Sequence, residues 1–480
     1  MKRFFGLLFL FFGLIGCIQA KETTIVIYST NDMHGSIDNF AKVAKFIENE
    51  RKKHPHILIL CGGDIFSGNP VVDQYPQRGK PMIELMNKVG YQYAAFGNHE
   101  FDYGQQTLKR CMKKANFEWL CANMKVDPSI ATIQQPQPYA TLKIGDIKIC
   151  ILGLIETNKK LQGQPITSAH PDHLKGISFT SPLETVVKYK NLKEECDLFI
   201  GLFHTGYATD KQIAHRMPEL DVIIGGHTHT KIKSTRLING VLITQTEDEL
   251  KYMGKTTITF NDKQIIDKQF ELIKIEEEWD ESPSINRMLR KYHQKMPLEK
   301  TLAKATGQFD GRHPLGALMT DAIIQIYHTD FAFQNSGGIR IGMLPKGNIT
   351  LADVYKLDPF NNTIVIYEMR PEDIRTLLKN SHRNGNQNID LIPGGLKYTI
   401  HTRNGKAVRI TLTDSYGTPL DENKYYKVGM NSYIASSYRF SKTLPHREMS
   451  LQSSDALIKY LKEKQEITPC RIHRGTVIEE

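Results

Sequence analysis

Five short stretches between Asn31 and His229 concentrate the side chains that can hold cations and move protons. They are Asn31-Asp-Met-His-Gly35, Gly63-Asp64, Gly97-Asn-His-Glu-Phe-Asp102, His204 and Gly225-Gly-His-Thr-His229. They offer the carboxylates Asp32, Asp64 and Asp102, the amide Asn98, and the imidazoles of His34, His99, His204, His227 and His229. This mixture suits attack on a phosphate ester. Such an ester is anionic, so its nucleophile must be activated and its charge neutralised. Two cations roughly 3.5–4 Å apart do both. A carboxylate with two usable oxygens is needed to bridge them, and Asp64, on a glycine-flanked loop, fits that role. Asp32 and His34 lie two apart, as do His227 and His229, so on extended segments each pair points one way. Oxygen and nitrogen donors without sulfur suit Zn, Mn, Co or Fe. His99 adjoins Asn98 but would point away from it on an extended loop. It is the candidate proton donor, with Asp102 fixing its tautomer.

The elements that must position these residues alternate. Strands are expected at 24–28, 56–61, 93–96, 147–154, 198–203 and 221–224, with helices at 40–47 and 82–89, from their apolar runs and periodicity. Each candidate stretch follows such a strand, where α/β folds present ligand-binding loops. Beyond 300 a helix at 315–326 and strands at 331–333 and 363–367 predict a second α/β unit. The expected division is a leader at 1–20, a first domain at 21–275, a linker helix at 276–300 and a second domain at 301–480.

Size and composition agree. A chain of 480 residues is too long for one core. Its 40% hydrophobic and 24% charged residues are ordinary for a globular protein. The net charge of +10 favours anionic substrates, but no Lys/Arg run is long enough to imply nucleic acid. There is no short repeat or low-complexity tract. Lys2-Arg3 followed by the apolar run 4–15 has the layout of a secretory signal, too short to span a bilayer. Leu14-Ile15-Gly16-Cys17 has the form of a lipobox, and Ile18-Gln19-Ala20 that of an ordinary cleavage site. Either outcome sends the protein to the periplasm or cell envelope, with a lipid at Cys17 as the one route to a membrane. The six other cysteines form no CxxC pair, which argues against a thiolate metal site. Cys61, Cys150 and Cys196 read as core thiols, and Cys111 and Cys121 as candidates for pairing. No obligate protein partner is implied.

In the second unit, Asn335-Ser-Gly-Gly-Ile-Arg340 follows a strand. Its glycines let backbone N–H groups approach an anion, and Arg340 can grip phosphate bidentately.

On these motifs, residues 24–260 resemble the calcineurin-like metallophosphoesterases, and the mature chain resembles their 5′-nucleotidase branch. The resemblance implies an α/β/β/α sandwich, a helical linker and a C-terminal α/β nucleotide-binding domain. It implies two divalent metal ions (Zn, Mn or similar), one held by Asp32, His34, Asp64 and His229, the other by Asp64, Asn98, His204 and His227. The family's catalytic pair falls on His99 and Asp102. Asn335 to Arg340 is similar to the phosphate-contacting segment, with Ser336 in place of a glycine. Gly311-Arg-His-Pro-Leu-Gly316 assigns Arg312 to phosphate, one position displaced. Asp358-Pro-Phe-Asn-Asn362 assigns Phe360, and Asn431-Ser-Tyr-Ile-Ala435 assigns Tyr433, as the aromatics that stack on a base. Two departures stand out. Ser436-Ser-Tyr-Arg439 occupies the place of Gly-Gly-Asp-Gly, whose Asp helps hold the nucleoside, and Gln245-Thr-Glu-Asp-Glu249 lacks the usual glycine.

The function implied is an exported phosphohydrolase of nucleoside 5′-monophosphates, with di- and triphosphates and nucleotide sugars within reach. Its domains would close on the substrate about 276–300. The alternatives are a 2′,3′-cyclic-nucleotide phosphodiesterase or other phosphoester or sulfur-ester hydrolase, and a catalytically silent nucleotide-binding surface protein.

Overall fold

The computed structural model describes residues 22–480 apart from Gln162 and Asn361. The expected leader, Cys17 and both processing sites lie outside the described residues. No helix among the described residues is long and apolar enough to cross a membrane.

Two six-stranded sheets form the first half. The first runs in the order Gln264–Lys274, Tyr252–Asn261, Glu22–Thr30, Ile57–Cys61, Tyr93–Ala95, Glu118–Leu120. Its last four strands are parallel, and Tyr252–Asn261 lies antiparallel to Glu22–Thr30. The second sheet centres on the parallel strands Ile147–Ile155, Leu198–His204 and Val222–Ile224. Strand alternation divides the side chains between two cores. Ile25, Ile27, Leu58 and Leu60 meet Ile149, Ile151 and Phe199 between the sheets. Val26, Tyr28, Ile57 and Ile59 turn outward to the helices Phe40–Lys53 and Lys80–Val89. With Tyr207–Arg216 covering the second sheet through Ile213 and Ala214, the stack is helix, sheet, sheet, helix.

The second half is built on a five-stranded mixed sheet. Its order is Leu391–Gly394, Phe331–Asn335, Tyr426–Asn431, Thr363–Met369, His446–Gln452. The helix Arg312–Tyr327 packs on it through Ile323 and the Ala332 strand, and Ser453–Lys464 packs beside that helix. The fold is therefore two-domain α/β. The apolar stripe Ile285, Leu289 and Tyr292 of the helix Pro283–Gln294 belongs to the first domain's core. Tyr292 also donates to Glu84 at 2.7 Å. This helix is thus docked, not free-standing. Cys111 and Cys121 are unpaired: Cys111 Sγ donates to the Arg78 carbonyl and Cys121 Sγ to Asn123.

Candidate metal centre and substrate cavity

The five stretches between Asn31 and His229 emerge at the C-terminal ends of parallel strands, where the two sheets meet. The loops touch so closely that side chains are excluded. A Cβ on Gly62 would lie 2.6 Å from the Gly225 carbonyl oxygen, and one on Gly63 would lie 2.7 Å from His204 Nδ1.

One expectation about local geometry is corrected. Asp32–His34 and His227–His229 are not extended segments with alternating side chains. Asp32, His34, Asp64, His227 and His229 all have left-handed backbones, with φ of 49°, 47°, 53°, 80° and 52°. Left-handed non-glycine residues carry strain and gather at functional sites. Here the surrounding bonds impose the conformation. Asp32, His34 and Gly35 donate their N–H groups to the carbonyls of Gly63, Asp64 and Ile65 at 3.0, 3.1 and 2.9 Å. The N–H of His227 reaches both Asp32 oxygens, at 3.1 and 3.0 Å.

The resulting donors converge. Asp32, His34 and His229 form one cluster and Asp64, His204 and His227 another, the donor atoms of each within 4.8 Å of one another. Asn98 Oδ1 faces His227 Nδ1 at 3.1 Å. Three imidazoles spend Nδ1 on an oxygen: His34 on Ser67 O at 3.1 Å, His204 on Gly62 O at 2.8 Å, and His229 on Asp248 at 2.9 Å. Their Nε2 atoms therefore point inward. Those of His34 and His229 stand 3.1 Å apart, and that of His204 lies 3.0 Å from Asp64. Nitrogens and carboxylates this close require positive charge among them, whether a proton or a cation. Burial, then His99, pushes His34 down to about 4. Burial opposes charge on His204 and His229, yet Asp64 and the pair Asp248 and Asp32 lift them to about 10. Burial would likewise raise Asp64, but His204 and His99 hold it well below the ordinary carboxylate range. The residues present fit two cations of nitrogen–oxygen preference.

His99 opens a short 3₁₀ turn, His99–Phe101, and its N–H donates to Asp64 Oδ1 at 2.8 Å. Its Nδ1 lies 2.6 Å from Asp102, and its Nε2 is 4.0 Å from Asp64 Oδ2. Burial disfavours the imidazolium, but Asp102 and Asp64 raise its pKa overall. Asp102 and Asp64 thus favour a proton on His99, at the mouth of the donor cluster.

A single cavity of about 1150 Å³ joins the two domains here. Asp64, Asn98, His99, Asp102, His227 and His229 line one side. Arg312, Asn335, Arg340, Phe360 and Tyr433 line the other. Asp32, His34 and His204 lie beneath the surface, all but buried. The rings of His99 and Phe360 are stacked with centroids 6.0 Å apart, and the Arg340 guanidinium lies 5.6 Å from the Phe360 ring. Arg312 begins the helix Arg312–Tyr327, and Tyr433 lies in the first turn of Ser432–Ser437 rather than in the preceding strand.

Several participants were not recognised in the sequence. The Glu100 carboxylate accepts the N–H groups of Gly97, Ile65 and Asp64 at 2.5, 2.7 and 3.1 Å, holding the bridging loop in place. Burial, then Asp64, pushes Glu100 up to about 7. Its position inside Gly97–Asp102 was the available signal. Asp248 orients His229, and the Asn31 amide joins Asp32 to the Thr246–Glu247 backbone. From the first domain, Lys159 lies 4.6 Å from the Tyr433 ring, and His170 meets that ring edge-on. Nothing local in the sequence marks either residue.

This fold and donor set define the class of metal-dependent phosphoester hydrolases. The family model for calcineurin-like phosphoesterases matches residues 25–231, and that for the 5′-nucleotidase C-terminal domain matches residues 298–440. The chain belongs to the 5′-nucleotidase family. It is 25% identical over 475 residues to a trifunctional nucleotide phosphoesterase of Bacillus subtilis, covering 86% of this chain and 32% of that one. It thus spans about a third of that relative's length. It is 28% identical over 440 residues to a 5′-nucleotidase of Vibrio cholerae, covering 75% and 78% of the two chains. The crystal structure of a 5′-nucleotidase precursor from Thermus thermophilus superposes with a TM-score of 0.80 at 26% identity, covering 95% of this chain and 100% of that one.

Proposed function

We propose that this chain is an exported dinuclear-metal phosphohydrolase that releases phosphate from nucleoside 5′-monophosphates. The observation that carries the reading is the shared cavity, with the donor cluster and His99 on one side and Arg340, Phe360 and Tyr433 on the other. Relatives named as nucleotidases support the substrate class, and the Lys2-Arg3 and apolar 4–15 layout supports export. Di- and triphosphates and nucleotide sugars fall within the same chemistry.

Asp32, His34, Asp64 and His229 would hold one cation, and Asp64, Asn98, His204 and His227 the other. When bound, the pair supplies Lewis acidity and a water acidic enough to attack near neutral pH. Arg340, with Arg312 and Asn335, meets the phosphate charge, while Phe360 and Tyr433 flank the base. The water oxygen bonds to phosphorus as the bond to the 5′ oxygen breaks. His99 delivers its Nε2 proton to that leaving oxygen, and Asp102 holds Nδ1–H throughout.

The test is phosphate release from AMP by the metal-loaded protein. His99→Ala should lower kcat about 10²–10⁴-fold with little change in metal content. A loaded protein that cleaves cyclic nucleotides or other esters but no 5′-monophosphate would overturn the reading.

A further inference from the structure

Three imidazoles of the donor cluster turn Nδ1 outward, to Ser67, Gly62 and Asp248, and Nε2 inward. His227 is turned the other way. Its Nδ1 faces inward, 3.1 Å from Asn98 Oδ1, and its Nε2 faces outward, 2.9 Å from the side-chain amide of Asn158. A neutral imidazole that gives Nδ1 to a cation carries its proton on Nε2, and that N–H needs an acceptor. The other three rings rest on a carboxylate or a backbone carbonyl. For His227 the group in place is an amide, which carries an oxygen and a nitrogen on one planar end. A turn about its Cβ–Cγ bond brings Oδ1 to Nε2–H at the position the amide nitrogen now holds.

Asn158 is exposed, and an exposed amide keeps its rotamer freedom unless something fixes it. Here its backbone is pinned. The wholly buried Glu156 carboxylate accepts from the Asn158 N–H at 2.5 Å, the Ser168 N–H at 2.5 Å and the Thr167 hydroxyl at 2.8 Å. These bonds draw the two ends of the segment 156–168 together. The Glu156 N–H donates to the His204 carbonyl at 2.8 Å, so the segment is rooted on another donor of the same cluster. Its hairpin, Lys159–Leu161 against Gln164–Ile166, reaches the second domain, where Lys159 lies over the Tyr433 ring. Asn158 thus stands between a buried anchor on one side and a contact with the second domain on the other.

We infer that Asn158 is the positioning residue of His227: it holds the ring with Nδ1 toward Asn98 and so sets the affinity of one cation site and not of the other. This rests on the dinuclear reading above and adds to it a residue outside all five ligand stretches. Asp32, His34 and His229, the donors particular to the other site, have their own partners and do not meet Asn158.

The experiment titrates the metal-free full chain with Zn²⁺ in competition with a chromophoric chelator, resolving the two equivalents, for the wild type, Asn158→Ala and Asn158→Asp, with folding checked by circular dichroism. Asn158→Ala should weaken one equivalent about 10–100-fold and leave the other unchanged. Asn158→Asp should match or exceed the wild type, because a carboxylate is the stronger acceptor for Nε2–H. Undiminished affinity in Asn158→Ala overturns the inference. So does equal weakening of both equivalents, the mark of a merely structural role, or an Asn158→Asp variant as weak as Asn158→Ala. Each of these outcomes spares the dinuclear reading. A wild type that takes up fewer than two equivalents sinks both.

Discussion

Asp248 shows how much of a metal centre can rest on a residue that touches no metal. It accepts Nδ1–H of His229 at 2.9 Å and is itself paired with Lys251 at 2.7 Å. The imidazole is thereby held with Nε2 toward Asp32, 3.4 Å away. Such a carboxylate behind a histidine typically contributes 10–100-fold in affinity. Asp248→Asn should therefore weaken divalent-metal binding by about that factor in a chelator-competition titration, and undiminished affinity would show the contact to be idle. The donors themselves were legible in the sequence because each is short-range in its motif. Asp248 was not. It lies in the stretch 245–249, outside the motifs that carry the donors, and only the fold brings it beside His229. Asp210 makes a second case. Buried in the first turn of Tyr207–Arg216, it accepts from Thr205 on Oδ1, while Oδ2 has no hydrogen-bond partner. Burial pushes its pKa up to about 7. The folded state thus holds a proton that the unfolded chain, with a carboxyl near 3.9, gives up. Stability must fall as pH rises from about 4 through 7 and then level off. Asp210→Asn, permanently neutral, should gain on the wild type by on the order of 2 kcal/mol between pH 5 and 8 in urea melts. A pH-independent difference would refute the assignment.

At the scale of elements, strand positions and the two α/β units were readable because apolar runs and their periods are local. The loops were not. Period-two alternation was the wrong rule for Asp32–His34 and His227–His229, because contacts from neighbouring strand ends force left-handed turns there. No pattern within the loop announces a conformation that other loops impose. The helix Pro283–Gln294 teaches the same lesson. Its polar composition suggested a bridge, yet every third or fourth residue (Ile285, Leu289, Tyr292) is buried against the first domain. Leu289 is 7% exposed in that core. Leu289→Ala should cost about 2–4 kcal/mol. Exposed Arg290→Ala should stay within about 0.5 kcal/mol. Equal effects in thermal or denaturant melts would mean that the helix is not anchored as described.

At the scale of the molecule, that docking moves any hinge to the end of the linker. Leu298 still belongs to the first domain's core, while its carbonyl and that of Lys300 accept from Ala352 and Leu351 of the second domain. Leu351, Ala352 and Tyr355 also pack on the first domain. The domains are therefore held together firmly at the chain crossing. Across the cavity the join is lighter: besides the ring contacts of Tyr433 with Lys159 and His170 and of Phe360 with His99, His170 Nε2 lies 3.3 Å from the Ser432 hydroxyl, between the turn Pro171–Leu174 and the helix Ser432–Ser437. Burial, then His173, pushes His170 down to about 4, so this bond is made by a neutral imidazole at physiological pH. A neutral hydrogen bond contributes only about 0.5–1.5 kcal/mol, weak enough to open on each turnover. Separation at this edge is the expected route for a substrate of the proposed kind, a gating step of the sort that often limits kcat. Cysteines at both positions, His170→Cys with Ser432→Cys, would close the gate covalently. The oxidised variant should turn over AMP at least about tenfold more slowly than the same variant reduced, with metal content identical in the two forms and activity returning on addition of dithiothreitol. Equal rates in the two redox states would mean that nucleotides reach His99 without the domains parting here, and the hinge at 298–300 would lose its role in catalysis.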